Sequence, residues 1–148
     1  MSLLDLVAEA KKTGDISRLA ETMPYARFMG LAPENSTGEL LTRMRFSPLL
    51  IGNPVLPALH GGTIGALLET AAIFQVLWES DTSTIPKIIT ITVDYLRSGR
   101  PVDTLARAVL TKQGRRVINV AVEAWQEDRA RPIASANAHF LITPRAGE

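Results

Sequence analysis

The sequence predicts an α+β fold in which one long apolar helix is wrapped by a curved antiparallel sheet and preceded by short helices. Three observations carry this. The stretch His60 to Ser80, HGGTIGALLETAAIFQVLWES, reads as a helix in which Glu69 is the one charged residue between Gly61 and Trp78. Two β-type runs come before it. Four more follow in quick succession, joined only by short turn material. A helix that is apolar on nearly every side must be buried, and a sheet curved around it is the simplest cover.

The elements follow in order. Residues 2–13 alternate Leu, Val and Ala with Asp, Glu and Lys at helical spacing, and Gly14 is placed to end that helix. Asp15 caps a second short helix that stops before Pro24. FMGLA, PENSTG and ELLTRMRF read as strand, turn and strand, the turn being rich in Pro, Asn, Ser and Gly. SPLLIGNPVLPAL, with three prolines, is a loop leading into the long helix. After the helix and the loop SDTSTIP come KIITITVDYLR, DTLARAVLTK, RVINVAVEAWQ and PIASANAHFLI. In the third run Ile118, Val120, Val122 and Ala124 share one face. In the last, Ala134, Ala136 and Ala138 do, and their small side chains let a helix pack close. His139, beside Phe140, reads as structural. The edges of such a sheet make dimerisation by strand pairing an expectation.

Composition narrows the function. At 148 residues with 46% hydrophobic content, the chain suits one packed core. Sixteen basic residues against fifteen acidic ones give no electrostatic case for nucleic acid or an anionic membrane surface. With no cysteine and two histidines, neither a thiol nucleophile nor a His- or Cys-built metal centre is expected. The N-terminus lacks the basic start and long apolar core of a signal peptide, the longest apolar run reads as too short for a bilayer, and a cytoplasmic location is the expectation.

The chemistry concentrates at the start of the long helix. The first N–H groups of a helix have no intrahelical partner, and the dipole makes that end partly positive. Gly61 and Gly62 let another molecule approach that backbone, so the turn suits a carbonyl or an oxyanion, with His60 able to orient it. On these residues alone, a simple tight turn capped by His60 fits equally well. Glu69 is the unusual residue, because glutamate is almost never buried without a partner. At ~1.5 Å of rise per residue it lies roughly 13 Å along the axis from His60, too far for one small group to touch both. If they cooperate they come from different chains, as in an antiparallel pair of helices at a dimer interface. The alternative places Glu69 at the solvent edge or against an arginine.

LHGGTIGALLETAA resembles the HGG-x-x-x-x-x-x-[D/E] signature of the PaaI-like, 4-hydroxybenzoyl-CoA thioesterase-related hotdog-fold thioesterases. MPYARFMGL, ITVDYLRSGRP, QGRRVINVAVEAW and PIASANAHFLI also resemble that family's segments in its order. The resemblance covers residues 24–142, which divides the chain into a helical lead-in, 1–23, and a hotdog domain, 24–148. It implies a long helix wrapped by six antiparallel strands and hydrolysis of acyl-CoA in a homodimer, often a homotetramer, with no cofactor. It assigns the Gly61 N–H to the thioester carbonyl and His60 to positioning it. Glu69 of the partner subunit becomes base or nucleophile. Gly62, Arg97, Ser98, Gly99, Arg100, Arg115 and Arg116 are candidate CoA contacts, and Asn53 is a further participant. The sequence departs from the family in having Glu where Asp is commoner, as in the branch acting on aromatic acyl-CoA. It has Ile73 where that branch has a hydroxyl, and Asn53 seven residues before His60 instead of six. Leu67, Ile73, Phe74 and Trp78 are expected to shape the acyl pocket. A non-catalytic module binding acyl-CoA or another apolar ligand is the alternative, and a hotdog dehydratase a more distant one.

Overall fold

The computed structural model describes residues 1–82 and 84–144, so Ser83 and the last four residues of the expected 24–148 domain lie outside the described residues. Helix α1 (Leu3–Thr13) begins in a capping box: Ser2 Oγ accepts the Asp5 N–H and the Asp5 carboxylate accepts the Ser2 N–H. Gly14, at φ 73°, ends it in the left-handed conformation. Asp15 caps a 3-10 helix, Ile16–Thr22, through the Ser17 N–H. Val7, Ala10, Ile16 and Leu19 from these segments enter the same core as the rest of the chain.

The next segment differs from the sequence expectation. Only the end of FMGLA is strand: Pro24, at the first position, starts helix α2 (Pro24–Phe28), Gly30 at φ 69° turns the chain out of it, and Leu31 and Ala32 begin the strand that follows. The strands are β1 (Leu31–Ser36) and β2 (Glu39–Met44), so most of PENSTG is extended. The hairpin turn contracts to Thr37 and Gly38, at φ 50° and 83°, the positive values a two-residue turn requires to match strand twist. Pro33 is tolerated because β1 is an edge strand. The loop that follows contains a 3-10 turn (Pro48–Leu50) and a small hairpin of β3 (Ile51–Asn53) and β4 (Ala58–Leu59).

Helix α3 (Gly61–Glu79) is the core of the molecule, and β5 (Lys87–Tyr95), β6 (Thr104–Gln113), β7 (Val117–Trp125) and β8 (Ala134–Leu141) follow it. The six-stranded sheet has the order β1-β2-β6-β7-β8-β5, with antiparallel neighbours throughout. Ala134, Ala136 and Ala138 are at most 2% exposed beneath the helix, as their shared face predicts. Leu67, Leu68, Phe74 and Val76 are fully buried against the sheet, and each such side chain contributes about 1.5–3 kcal/mol. Among the described residues α3 is the one helix with the length and apolarity to cross a bilayer; most of it is buried inside the molecule. One buried polar residue on it is satisfied. Gln75 accepts from Arg107 at 3.0 Å and donates to Glu79. Strands β2 and β6 pair over only three positions, and Arg107 reaches the helix beyond that short pairing.

Thr42 is fully buried in β2 and its hydroxyl has no hydrogen-bond partner. Leaving such a group unpaired costs on the order of 1–3 kcal/mol. Thr42→Val, nearly isosteric, is expected to raise stability by about 1 kcal/mol, read as a higher urea midpoint at unchanged slope. A lower midpoint would contradict it.

Candidate active site

The turn from β4 into α3 is held from several sides. The Leu59 N–H donates to Gly99 O at 2.9 Å and the His60 N–H donates to Leu50 O at 2.8 Å. His60 is the N-cap: its Nδ1 accepts the Gly62 N–H at 2.8 Å. With Nδ1 accepting, the neutral imidazole carries its proton on Nε2 and presents it outward. A Cβ on Gly62 would lie 2.9 Å from that Nδ1, so glycine is what lets the ring fold back onto its own helix. The cap consumes the Gly62 N–H and leaves the Gly61 N–H without an acceptor among the described residues. The helix therefore offers one free donor at its positive end, at the residue the resemblance assigns.

Tyr95, at the end of the edge strand β5, is a participant that sequence reading missed. Its hydroxyl donates to Gly61 O at 2.8 Å, and its ring lies 3.3 Å from where a Gly61 Cβ would stand. Edge strand and helix start are thus pinned together. The signal was present as alternation: Ile91, Val93 and Tyr95 share the inward face of that strand.

Glu69 sits on the open face of α3. Gly61, Gly62, Gly65, Ala66 and Glu69 escape full burial, whereas Thr70 to Leu77 are all buried. No described residue gives Glu69 a hydrogen bond or an ion pair, and partial burial pushes its carboxyl above the usual glutamate range. It stands two and a half turns along the helix from His60, which leaves the two apart within this chain.

The other expected residues divide. Arg97, Ser98 and Gly99 line a cavity of about 510 Å³ together with Gly61 and Tyr95. Arg97 donates to Pro132 O, and with Ser98 and Arg100 it also borders a neighbouring cavity of about 400 Å³ that contains Arg131, a cation sequence reading did not single out. Arg100 is ion-paired with Glu127. Arg115 and Arg116 lie at the opposite end of the sheet, beside the β6–β7 turn. Asn53 caps its own turn, its Oδ1 accepting from the Val55 and Leu56 N–H groups. Of the expected acyl-pocket side chains, Leu67 and Phe74 face this chain's sheet and are fully buried, and Ile73 is 8% exposed beside the open face. His139, on the outer face of the sheet, bonds to Thr90 Oγ1 at 2.8 Å.

A long helix enclosed by six antiparallel strands is the hotdog architecture. The chain belongs to the thioesterase superfamily, whose sequence profile matches residues 56–133. It is 30% identical to the medium/long-chain acyl-CoA thioesterase YigI of Salmonella typhimurium, over 81% of this chain and 86% of the relative. A Chromobacterium violaceum protein of known structure superposes with a TM-score of 0.75 at 38% identity, covering 94% of this chain and 97% of that one. A Bacillus halodurans protein crystallised with CoA shares the fold at a TM-score of 0.72 and 19% identity, covering 95% and 90% of the two chains.

Two outcomes follow. His60→Ala removes the cap and is expected to cost about 0.5–2 kcal/mol, seen as a lower thermal midpoint; an unchanged midpoint would count against the capping role. For Glu69, burial raises the folded-state pKa above the unfolded one, so the folded chain binds the proton more tightly. The penalty is absent below about pH 4, the unfolded range, and complete above the raised folded value. Glu69→Gln should therefore raise the midpoint at neutral pH, with the gain vanishing toward pH 4. A gain that persisted at low pH would mean the charge is not its source.

Proposed function

We propose that this protein hydrolyses acyl-CoA thioesters to free acid and CoA across a homodimer. The observation that carries the reading is the pairing of one free donor, the Gly61 N–H, with one unpartnered carboxylate, Glu69, on a single open helix face. A buried charge without a partner is a stability cost that chemistry would explain. Two such faces packed antiparallel would place Glu69 of one subunit near the Gly61 turn of the other, and the exposed edge of β5 offers a strand for that pairing.

In the proposed cycle the Gly61 N–H polarises the thioester carbonyl and stabilises the oxyanion as it forms. The His60 Nε2–H helps orient the acyl group. Glu69 of the partner subunit takes a proton from water as it attacks the carbonyl carbon, and the thiolate of CoA leaves. The thiolate departs readily, so no strong general acid is required. The cavity of Arg97, Ser98 and Gly99 beside Gly61 suits the CoA arm, and the neighbouring cavity, which Arg97 also lines, adds Arg100 and Arg131 as cations for phosphate beside Glu127 and Asp128. Medium- and long-chain acyl groups are the substrates proposed, by analogy with the medium/long-chain acyl-CoA thioesterase of Salmonella typhimurium.

Acyl-CoAs of graded chain length, with benzoyl-CoA alongside, test the reading through release of free thiol. Cleavage of aliphatic esters is expected. Glu69→Gln should lower kcat by about 10²–10⁴, and the acid limb of the parent kcat/KM profile should lie above the ordinary glutamate range. If no ester is cleaved, the enzymatic reading fails. Mixing inactive His60→Ala and Glu69→Gln subunits should restore part of the activity; no recovery after demonstrated exchange would rule out a shared site.

A further inference from the structure

Two cavities flank the His60–Gly61 turn, and their chemistry is opposite. One is the polar cavity of Arg97, Ser98 and Gly99, reached from the turn through Leu59 and Gly61. The other, about 290 Å³, lies between α2 and the 3-10 turn before β3, and is walled by Phe28, Met29, Phe46, Leu49, Leu50 and Thr63. The main chain of His60 is bonded to two residues of this second wall: its N–H donates to Leu50 O at 2.8 Å and its carbonyl accepts from Thr63 Oγ1 at 2.6 Å. Phe28 and Leu49 are 82% and 93% exposed at its rim, an unusual display for large apolar side chains. Arg27 and Arg45 border it as well.

A thioester has two arms that diverge from one carbonyl carbon, one polar and one apolar. From this correspondence we infer that the α2 cavity receives the acyl chain, with Phe28 and Leu49 as residues that set chain-length preference. The inference rests on the acyl-CoA reading above and adds the direction in which each arm leaves the turn. Leu50 and Thr63, which the His60 main chain hydrogen-bonds, belong to this cavity's wall, and that adjacency to the turn selects the acyl chain as occupant. An acyl chain entering along that wall buries the exposed Phe28 and Leu49. Each methylene that enters is worth roughly fourfold in kcat/KM.

The experiment compares the ratio of kcat/KM for dodecanoyl-CoA to that for butanoyl-CoA in the parent, Phe28→Asp and Leu49→Asp. Both positions are exposed, so folding should survive, and circular dichroism checks it. The ratio is expected to fall tenfold or more in each variant, because a carboxylate on the rim penalises the long chain selectively. A proportional loss on both esters, or an unchanged ratio, overturns the assignment. Sedimentation velocity separates the rival occupant: variants that become monomeric with an unaltered ratio would show the patch to be a contact between copies of this chain, which also overturns it. Absence of activity toward every ester in the parent would instead refute the acyl-CoA reading itself.

Discussion

Covering α3 is the constraint on which the rest of the structure depends. A helix whose side chains are apolar on nearly every side has no stable place in water, and a single sheet can reach only part of its circumference. From Thr70 to Leu77 α3 is buried, beneath the sheet and the N-terminal helical segments that share its core. The first half keeps one open face, and that face is built from glycine, alanine and one glutamate.

The small residues on that face have a physical reason beyond leaving space. Gly62 must lack a Cβ for the His60 ring to cap the helix, and Gly61 must lack one for the Tyr95 ring to lie against it. Capping takes one N–H out of play and frees its neighbour by elimination. The same few atoms thus fix the helix start, join it to the edge strand, and leave a single donor facing outward. Stability and catalytic potential are not separate designs at this turn.

The electrostatics of Glu69 express the same geometry. The carboxylate is partly withdrawn from water and has no compensating partner, so its charged form costs folding energy within one chain. Helix α3 tolerates that cost because the core beneath it is dense: alanines at 134, 136 and 138 let the helix seat closely, and Phe74 and Phe140 fill the space beside them.

Much of this was legible in residue order. The periods of two in β7 and β8 and the apolar run of α3 sufficed for the fold class and for the elements from α3 onward, and the HGG–Glu69 spacing marked the residues on which the proposed function rests. The β1 hairpin was misread because Pro, Asn and Ser usually mark turns, yet on an edge strand their weak pairing is tolerated. Tyr95, Arg131 and the α2 cavity were not visible, since each matters through a neighbour far away in sequence. Arg97 and Arg116 are both turn cations in the sequence, and the sheet register places the first beside Gly61 and the second at the far end. The sequence by itself determined which elements form and which faces they bury, because those follow from local periodicity. The tertiary structure alone decided which donor is free, which arginines share a cavity and which helix face stays open, because those depend on contacts between segments that no local pattern encodes.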